Sequence, residues 1–451
     1  MFKKVLIANR GEIALRILRA CKDLGIKTVT IYSTADAYSK HVLLSDESVC
    51  IGPPSAKNSY LNMQSIVSAA VITGADAIHP GIGFLSENVD FANIVNEHGF
   101  TFIGPSPKDI ATMGDKAIAK KTVAKLGIPV VPGSDGEVKT YEEALKCAIK
   151  IGFPVLIKSV GGGGGRGIQV AYSEQEFGEL YKLAKAEAGN AFGNDALYIE
   201  KFLKSPRHIE VQILADSYGN VIHLGERDCS LQRRRQKVFE EALCPVLTNS
   251  EREYLYDIVV SAIKKLGYLG VGTLEFLYED GKFYFIEMNT RLQVEHTISE
   301  EISGIDLVRE QIQVAAGQKI SVTQEQINFD GHVIECRINA ENPTTFTPSP
   351  GLIKNYHQPG GIGVRVDANV YAGYKIPPYY DSLIAKLIVK GRDRDECLRR
   401  TSRALSEFLV EGVDTLIPFQ KKLIEHPKIV SADYNVKTLD NIIMDIKPDD
   451  N

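Results

Sequence analysis

Residues 274–295 read LEFLYEDGKFYFIEMNTRLQVE, two runs of strand-forming residues around an EDG turn, the pattern of a β-hairpin. Such a hairpin folds Glu275 back to within reach of Glu287. Beyond the turn Glu287, Asn289, Arg291 and Gln293 recur at every second position, so a strand through them would send all four side chains from one face. Two acids and an amide then share a small space, and like charges held that close repel unless a cation or a proton intervenes. A divalent metal with oxygen ligands satisfies that demand, with Mg2+ bridging a nucleotide as the leading candidate. A solvated edge carrying weak salt bridges is the competing reading of the same pattern.

Bulk properties narrow the classes. With 451 residues, 44% hydrophobic and 24% charged, the chain can bury two or three domain cores. A net charge of −5 and a pI near 6.1 supply no broad basic field, which argues against nucleic acid and favours a small anionic ligand. The seven cysteines (Cys21, Cys50, Cys147, Cys229, Cys244, Cys336, Cys397) are scattered without a CxxC pair, so they read as reduced and mostly buried thiols. The sequence has neither a membrane-length apolar run nor the apolar core of a signal peptide, and a cytoplasmic location is expected.

The opening KVLIA, NRGE and an amphipathic segment with Ile13, Ile17, Cys21 and Leu24 on one face before Gly25 predict strand, turn and helix. TVTIY, ESVCIG, ADAIHPG and FTFIGP follow at the spacing of a doubly wound parallel sheet, assigned to residues 1–114. HPGIGFLSEN (79–88) places His79 and Glu87 at a strand end, where ligands of such sheets collect; fixing the loop would be their other use. A lysine-bearing helix then ends at Gly127 and gives way to an extended linker. In FPVLIKSVGGGGGRGIQVAY (153–172) two strand-like runs clamp five glycines and a sixth after Arg166, as in a mobile flap whose bare N–H groups approach phosphate. The tract lacks the GK[ST] ending of a P-loop. Lys158 adds a point charge beside it.

YIEKFL leaves this unit, and HIEVQIL and NVIHLGE read as strands before the basic run Arg233, Arg234, Arg235 and Lys237. That run is a solvated surface or a neutraliser of a triphosphate. A helix near 251–266 precedes the hairpin; HVIECRINAE, TPSPG, GVRVDANV and SLIAKLIVKG are later strand-like stretches. Cys397, Ala404, Leu405 and Phe408 form a helical stripe for core packing. IKPDDN reads as a frayed tail.

Together ANRGEIALRILRA, YLN, DAIHPGIGFLSEN, MGDK, GGGGGRG, RHIEVQ, ERDCSLQRR, EMNTRLQVEH, RINAE and PPYYDS resemble the biotin carboxylase family of ATP-grasp ligases, over about residues 2–440. Within that family the chain resembles the stand-alone component of a multi-subunit acetyl-CoA carboxylase. The resemblance implies an ATP-grasp fold of the α/β and α+β classes. Its expected parts are an N-terminal doubly wound parallel-sheet domain (1–114), a linker and small mobile lid (115–204), a catalytic domain (205–330) and a C-terminal mixed-sheet domain (331–446). It implies a reaction in which ATP and bicarbonate give carboxyphosphate, whose carboxyl group passes to N1′ of biotin with release of ADP and phosphate, the first step of malonyl-CoA formation in fatty acid biosynthesis. By this resemblance Lys116, Lys158, Gly164, Gly165, His208, Gln232, Arg235, Glu275, Leu277 and Glu287 hold the nucleotide, with Glu200, Lys201, Phe202 and Leu203 lining the adenine and ribose pocket. Glu275, Glu287 and Asn289 match ligands of Mg2+ or Mn2+. Lys237, Arg291, Gln293 and Val294 match the bicarbonate site, Glu295 the general base, and Arg337 the residue that stabilises the biotin enolate.

Two positions depart from the family pattern. Arg235 replaces the usual His of QRRHQK, and Ile82 replaces the usual Tyr of HPGYGFLSEN, removing a hydroxyl near the biotin end. None of the five methionines sits in a Met-Lys-Met site, so biotin is expected on a separate carrier protein, with separate carboxyltransferase subunits. Family analogy implies a homodimer, with Arg19 and Arg365 as interface candidates. Another ATP-grasp ligase would lack RLQVEH and RINAE; a catalytically silent nucleotide-binding regulator would lack Glu275, Glu287, Arg291 or Glu295, and all four are present.

Overall fold

A computed structural model describes residues 1–159, 168–192 and 196–446. The glycine tract, with Gly164 and Gly165, and the tail at 447–451 lie outside the described residues. Five strands, β1 (Lys4–Ile7), β2 (Lys27–Ser33), β3 (Glu47–Gly52), β4 (Ala77–His79) and β5 (Thr101–Phe102), form a sheet in the order β3-β2-β1-β4-β5. Every pairing in it is parallel. Val5, Leu6 and Ile7 are fully buried, as expected of a parallel strand covered on both faces. The helix Gly11–Asp23 turns Ile13, Ile17 and Cys21 into the core, and Gly25 takes φ +72° just after it, a left-handed position that suits glycine. Strand order reverses between β1 and β4, so the loops after them open a crevice at the carboxyl edge of the sheet.

The chain divides into two compact units, one of residues 1–128, 207–277 and 287–451, the other of residues 129–206 and 278–286. In the second unit β6 (Val155–Ser159) pairs antiparallel with β7 (Ile168–Ala171) and β8 (Leu197–Lys201). Its core joins Val155, Ile157 and Ile199 to Phe177, Tyr181 and Ala184 of the helix Glu174–Phe192.

The first unit carries most of an eight-stranded sheet. Its strands are β9 (Arg207–Ala215), β10 (Val221–Arg233), β11 (Gln236–Ala242), β12 (Gly270–Glu279), β13 (Lys282–Asn289) and β14 (His332–Asn339). After the short strands β15 (Gly351–Leu352) and β16 (Asn355–His357) come β17 (Val364–Ala368), β18 (Lys375–Ile376), β19 (Leu383–Gly391) and β20 (Leu409–Glu411). The order is β13-β12-β9-β10-β11-β14-β19-β17, antiparallel at every step from β9 to β17. The sheet thus takes strands from both sides of residue 330. The stripe of Cys397, Ala404, Leu405 and Phe408 packs against it in one apolar cluster with Cys336, Leu387 and Val389.

Two expectations change. The hairpin forms, with Asp280 and Gly281 both at positive φ as its two-residue turn requires, but β13 ends at Asn289. Arg291 and Gln293 therefore stand in a loop that leads into the helix His296–Ser303, not on a strand. The basic run is not a separate surface after a strand: β10 continues through Arg233, and Arg234 and Arg235, at φ +48° and +69°, make the turn into β11. Left-handed conformations cost non-glycine residues roughly 1–2 kcal/mol each, which the pairing on either side offsets.

Candidate active site

Alternation along adjacent strands builds the centre of the site. His208, Glu210 and Gln212 leave one face of β9, and Arg227 of β10 is the register partner of Glu210. Arg227 is fully buried and spends its guanidinium on Glu210 Oε1 (2.6 Å), Gln212 Oε1 (2.7 Å), Ser299 Oγ (2.9 Å), Thr273 Oγ1 (3.3 Å) and Gln293 Oε1 (2.5 Å). Five partners for one cation satisfy a group whose burial would otherwise cost several kcal/mol. The Gln293 amide is clamped at both ends, because its Nε2 donates to Glu275 Oε1 at 2.7 Å.

Glu275 is the meeting point of the hairpin and β9. Its Oε1 also accepts from Asn289 Nδ2 at 2.8 Å and faces Lys237 Nζ at 3.2 Å, while Oε2 stands 3.0 Å from His208 Nε2. Burial alone would raise its pKa; Lys237 and His208 overcome that and hold it well below the usual carboxylate range. Conversely, burial would lower His208, but Glu275 pushes it up to about 9. Glu287 lies nearer the surface and pairs with Lys116 Nζ at 2.8 Å. The loop after β13 is tied down by Glu87, which takes Arg291 Nε at 2.7 Å and the Thr290 N–H at 3.1 Å. Arg291 Nη2 returns to Asn289 Oδ1 at 2.8 Å.

Lys237, carried inward just past the Arg234–Arg235 turn, reaches three acids: Glu210 Oε2 (2.5 Å), Glu295 Oε1 (2.5 Å) and Glu275. Burial opposes its charge, but the three carboxylates raise its pKa well above that of an ordinary lysine. Glu295 sits at the start of the helix His296–Ser303 and is held on both oxygens, since Arg337 Nη2 donates to its Oε2 at 2.9 Å. Burial raises its pKa, yet Lys237 and Arg337 leave it lowered. Arg337 fixes its other edge on Glu240 Oε1 at 2.6 Å. Lys386 Nζ, fully buried, donates to the Val294 carbonyl at 2.8 Å.

Val294 and Arg337 line a cavity of about 320 Å³ that opens at the crevice between β1 and β4. Arg10, Ile82, Phe84, Tyr380 and Asp381 line it as well. Asp36 holds Arg10 through two 2.7 Å bonds, and the Arg10 guanidinium lies 4.1 Å from the Tyr380 ring centroid. Ile82 thus faces the cavity with an apolar side chain.

Other candidates are more dispersed. In the first unit Gln232 Nε2 donates to the Cys229 carbonyl at 2.9 Å, Leu277 is half-buried on β12, and Arg235 is exposed at its turn. In the second unit Lys158 pairs with Glu200, Lys201 Nζ holds the Gly152 carbonyl at 2.8 Å, Leu203 is buried, and Phe202 meets Tyr172 edge-on. His79 is buried, its Nδ1 accepting the Gly81 N–H. Arg19 is exposed, whereas Arg365 bonds Asp367, Glu300 and Glu301. Cys50 is exposed and Cys147 half-buried; the other five cysteines are buried, and all are free.

Glu210, Arg227, Glu240, Lys386 and Arg10 were not singled out from the sequence. The polar alternation in HIEVQ was the available signal for Glu210. The partners of Arg227, Glu240 and Lys386 lie on other strands, and sequence spacing carries no trace of them.

Residues 1–110 match the family model described as the biotin carboxylase N-terminal domain. Residues 115–323 match the carbamoyl-phosphate synthase L chain ATP binding domain, and 335–441 the biotin carboxylase C-terminal domain. The chain is 55% identical over 443 residues to biotin carboxylase 1 of Bacillus subtilis, covering 98% of each. It is 51% identical to a pyruvate carboxylase subunit of Methanothermobacter thermautotrophicus, covering 94% of this chain and 87% of that one. Among solved structures, the biotin carboxylase domain dimer of Hydrogenobacter thermophilus 2-oxoglutarate carboxylase, in complex with MgADP, ADP and bicarbonate, superposes with a TM-score of 0.86 at 49% identity, covering 98% of this chain and 99% of that one. The buried charge network and these full-length matches agree: the chain belongs to the biotin carboxylase family, carbon–nitrogen ligases with an ATP-grasp fold.

Proposed function

We propose that this protein is the biotin carboxylase component of an acetyl-CoA carboxylase, carboxylating biotin on a separate carrier protein with ATP and bicarbonate. The observation that carries the reading is the double hold on Glu295 by Lys237 and Arg337, beside a cavity lined by Val294 and Arg337. Glu295, kept ionised at neutral pH, accepts the bicarbonate proton. The guanidinium of Arg291 and the Lys237 ammonium offer charge-assisted hydrogen bonds to bicarbonate, with Gln293 and the Val294 backbone completing its site. The bicarbonate oxygen then attacks the γ-phosphorus of ATP, ADP leaves, and carboxyphosphate results. When biotin N1′ loses its proton to the phosphate that leaves carboxyphosphate, negative charge develops on the ureido oxygen and Arg337 stabilises it. The carboxyl group passes to N1′ and phosphate is released.

Nucleotide contacts are assigned to Lys116, His208, Gln232, Arg235, Glu275, Leu277 and Glu287 of the first unit. In the second unit they are assigned to Lys158, Glu200, Lys201, Phe202 and Leu203, with Gly164 and Gly165 of the glycine tract. Glu275, Glu287 and Asn289 offer two carboxylates and an amide oxygen, a hard-oxygen donor set that suits Mg2+ or Mn2+. That ion, when bound, neutralises phosphoryl oxygens during in-line transfer. The same reading divides the chain at 1–114, 115–204, 205–330 and 331–446. It includes a homodimer with Arg19 and Arg365 at its interface, carboxyltransferase partners and a cytoplasmic setting. Among the described residues no helix is long and apolar enough to cross a membrane.

The test supplies ATP, Mg2+, labelled bicarbonate and free biotin. Biotin-dependent ADP release with label in carboxybiotin is expected; the absence of both would sink the reading. The Methanothermobacter relative favours a second setting, a pyruvate carboxylase, and a propionyl-CoA system is the further alternative. Identifying the transferase and carrier that co-purify with the protein separates them.

A further inference from the structure

Glu240 on β11 and Glu335 on β14 are register partners in an antiparallel pair, so their side chains leave the same face directly opposite each other. Both residues are fully buried. Each carboxylate has one oxygen engaged: Glu240 Oε1 accepts from Arg337 Nε at 2.6 Å, and Glu335 Oε2 accepts from Thr297 Oγ1. The other oxygen of each, Glu240 Oε2 and Glu335 Oε1, is buried without a hydrogen-bond donor among the described residues. Two ionised carboxylates placed this way repel and leave two acceptors empty; a single proton between them cures both faults.

We propose that Glu240 and Glu335 form a carboxylate pair that shares one proton and positions Arg337, leaving the guanidinium its positive charge for the neighbouring cavity. Three acids, Glu240, Glu295 and Glu335, act on Arg337. Were all three ionised, the guanidinium would be overcompensated and poorly able to stabilise a further negative charge. A shared proton removes one of these charges without disturbing the 2.6 Å and 2.9 Å bonds that aim the side chain.

The groups around the pair bear this out. Toward Glu240 stand Arg337 of β14, Lys237 of β11, Glu295 at the head of the helix His296–Ser303, and Cys229 of β10. Toward Glu335 stand Lys386 of β19, Arg337 and Thr297. Arg394, from the helix behind β14, is committed to Glu241. Lys386 is itself shared with Glu12 and the Val294 carbonyl. Burial is the largest influence on both acids and raises both; Arg337 opposes it at Glu240 and Lys386 at Glu335, yet both remain raised above the usual carboxylate range. The catalytic consequence rests on the role proposed above for Arg337; the shared proton does not.

Infrared difference spectroscopy of the full chain labelled with isotopic glutamate tests the pair directly. A protonated-carboxyl C=O band is expected at neutral pH, lost on alkaline titration, and absent from Glu240→Gln and Glu335→Gln, whose amides supply the missing donor. No such band in the wild-type protein, or one that persists in both variants, overturns the proposal. In the biotin assay, kcat/KM should fall at alkaline pH by up to tenfold per pH unit as the pair loses its proton. Glu335→Gln should lack that limb. An unchanged limb in a variant that still binds ATP would overturn the positioning role, whereas absence of biotin carboxylation in the wild-type protein would strike the functional reading and leave the band intact.

Discussion

Glu295 Oε2 accepts a hydrogen bond from Arg337 Nη2 at 2.9 Å, joining a carboxylate and a guanidinium 42 residues apart in sequence. With Lys237 on its other oxygen, Glu295 keeps its charge in a site where burial alone would neutralise it.

Replacing that carboxylate while keeping its shape isolates the proton-transfer step. Glu295→Gln should lower bicarbonate fixation by about 10²–10⁴-fold, the usual worth of a general base, while nucleotide binding persists. Labelled-bicarbonate incorporation beside calorimetric ATP binding reads both; undiminished turnover would show that the base lies elsewhere.

Lys237 is the cation common to Glu210, Glu275 and Glu295. Lys237→Met leaves three buried acids without it, a loss of about 3–5 kcal/mol by the usual cost of breaking a buried pair. Urea unfolding measures this, and an unchanged midpoint would mean that Arg227, Arg337 and His208 already suffice.

Glu287 is partly exposed and engages Lys116, so neutralising it should disturb the fold little. Glu287→Gln should instead raise the Mg2+ concentration needed for half-maximal ADP release, and excess Mg2+ should restore activity. An unaltered Mg2+ titration would remove this residue from the ligand set.

His41 is fully buried, and burial lowers its pKa from 6.5 to about 4. Between these values the unfolded chain binds a proton that the folded one refuses. Its contribution is therefore complete above pH 6.5 and shrinks as pH falls toward 4, by about 1.4 kcal/mol per pH unit. His41→Gln should flatten this part of the stability–pH curve; parallel curves for the two proteins would contradict the assignment.

Much of this architecture is legible in local chemistry. The run VLI in β1, the stripe at Ile13, Ile17 and Cys21, and the Asp280-Gly281 turn each state their element through side-chain period or backbone preference. The Arg234–Arg235 turn was not legible: hairpin turns of positive φ favour Asn and Gly, and two arginines give the opposite sign. The strand β11 behind it was lost with it. The two-residue period puts Arg291 and Gln293 on one strand with Glu287 and Asn289, but that strand stops at Asn289, and from the loop beyond it Gln293 bonds Glu275 while Arg291 bonds Asn289.

Local sequence specifies the strands and helices of the N-terminal domain, the hairpin and the residue types that mark the family, because side-chain period and turn chemistry depend on neighbours within a few positions. Tertiary structure alone decided which charges meet. Lys237 among three acids, Arg337 between Glu240 and Glu295, and Glu240 opposite Glu335 follow from strand register in the eight-stranded sheet. Electrostatic energy depends on distance and burial, and those are set only when strands far apart in the chain lie side by side.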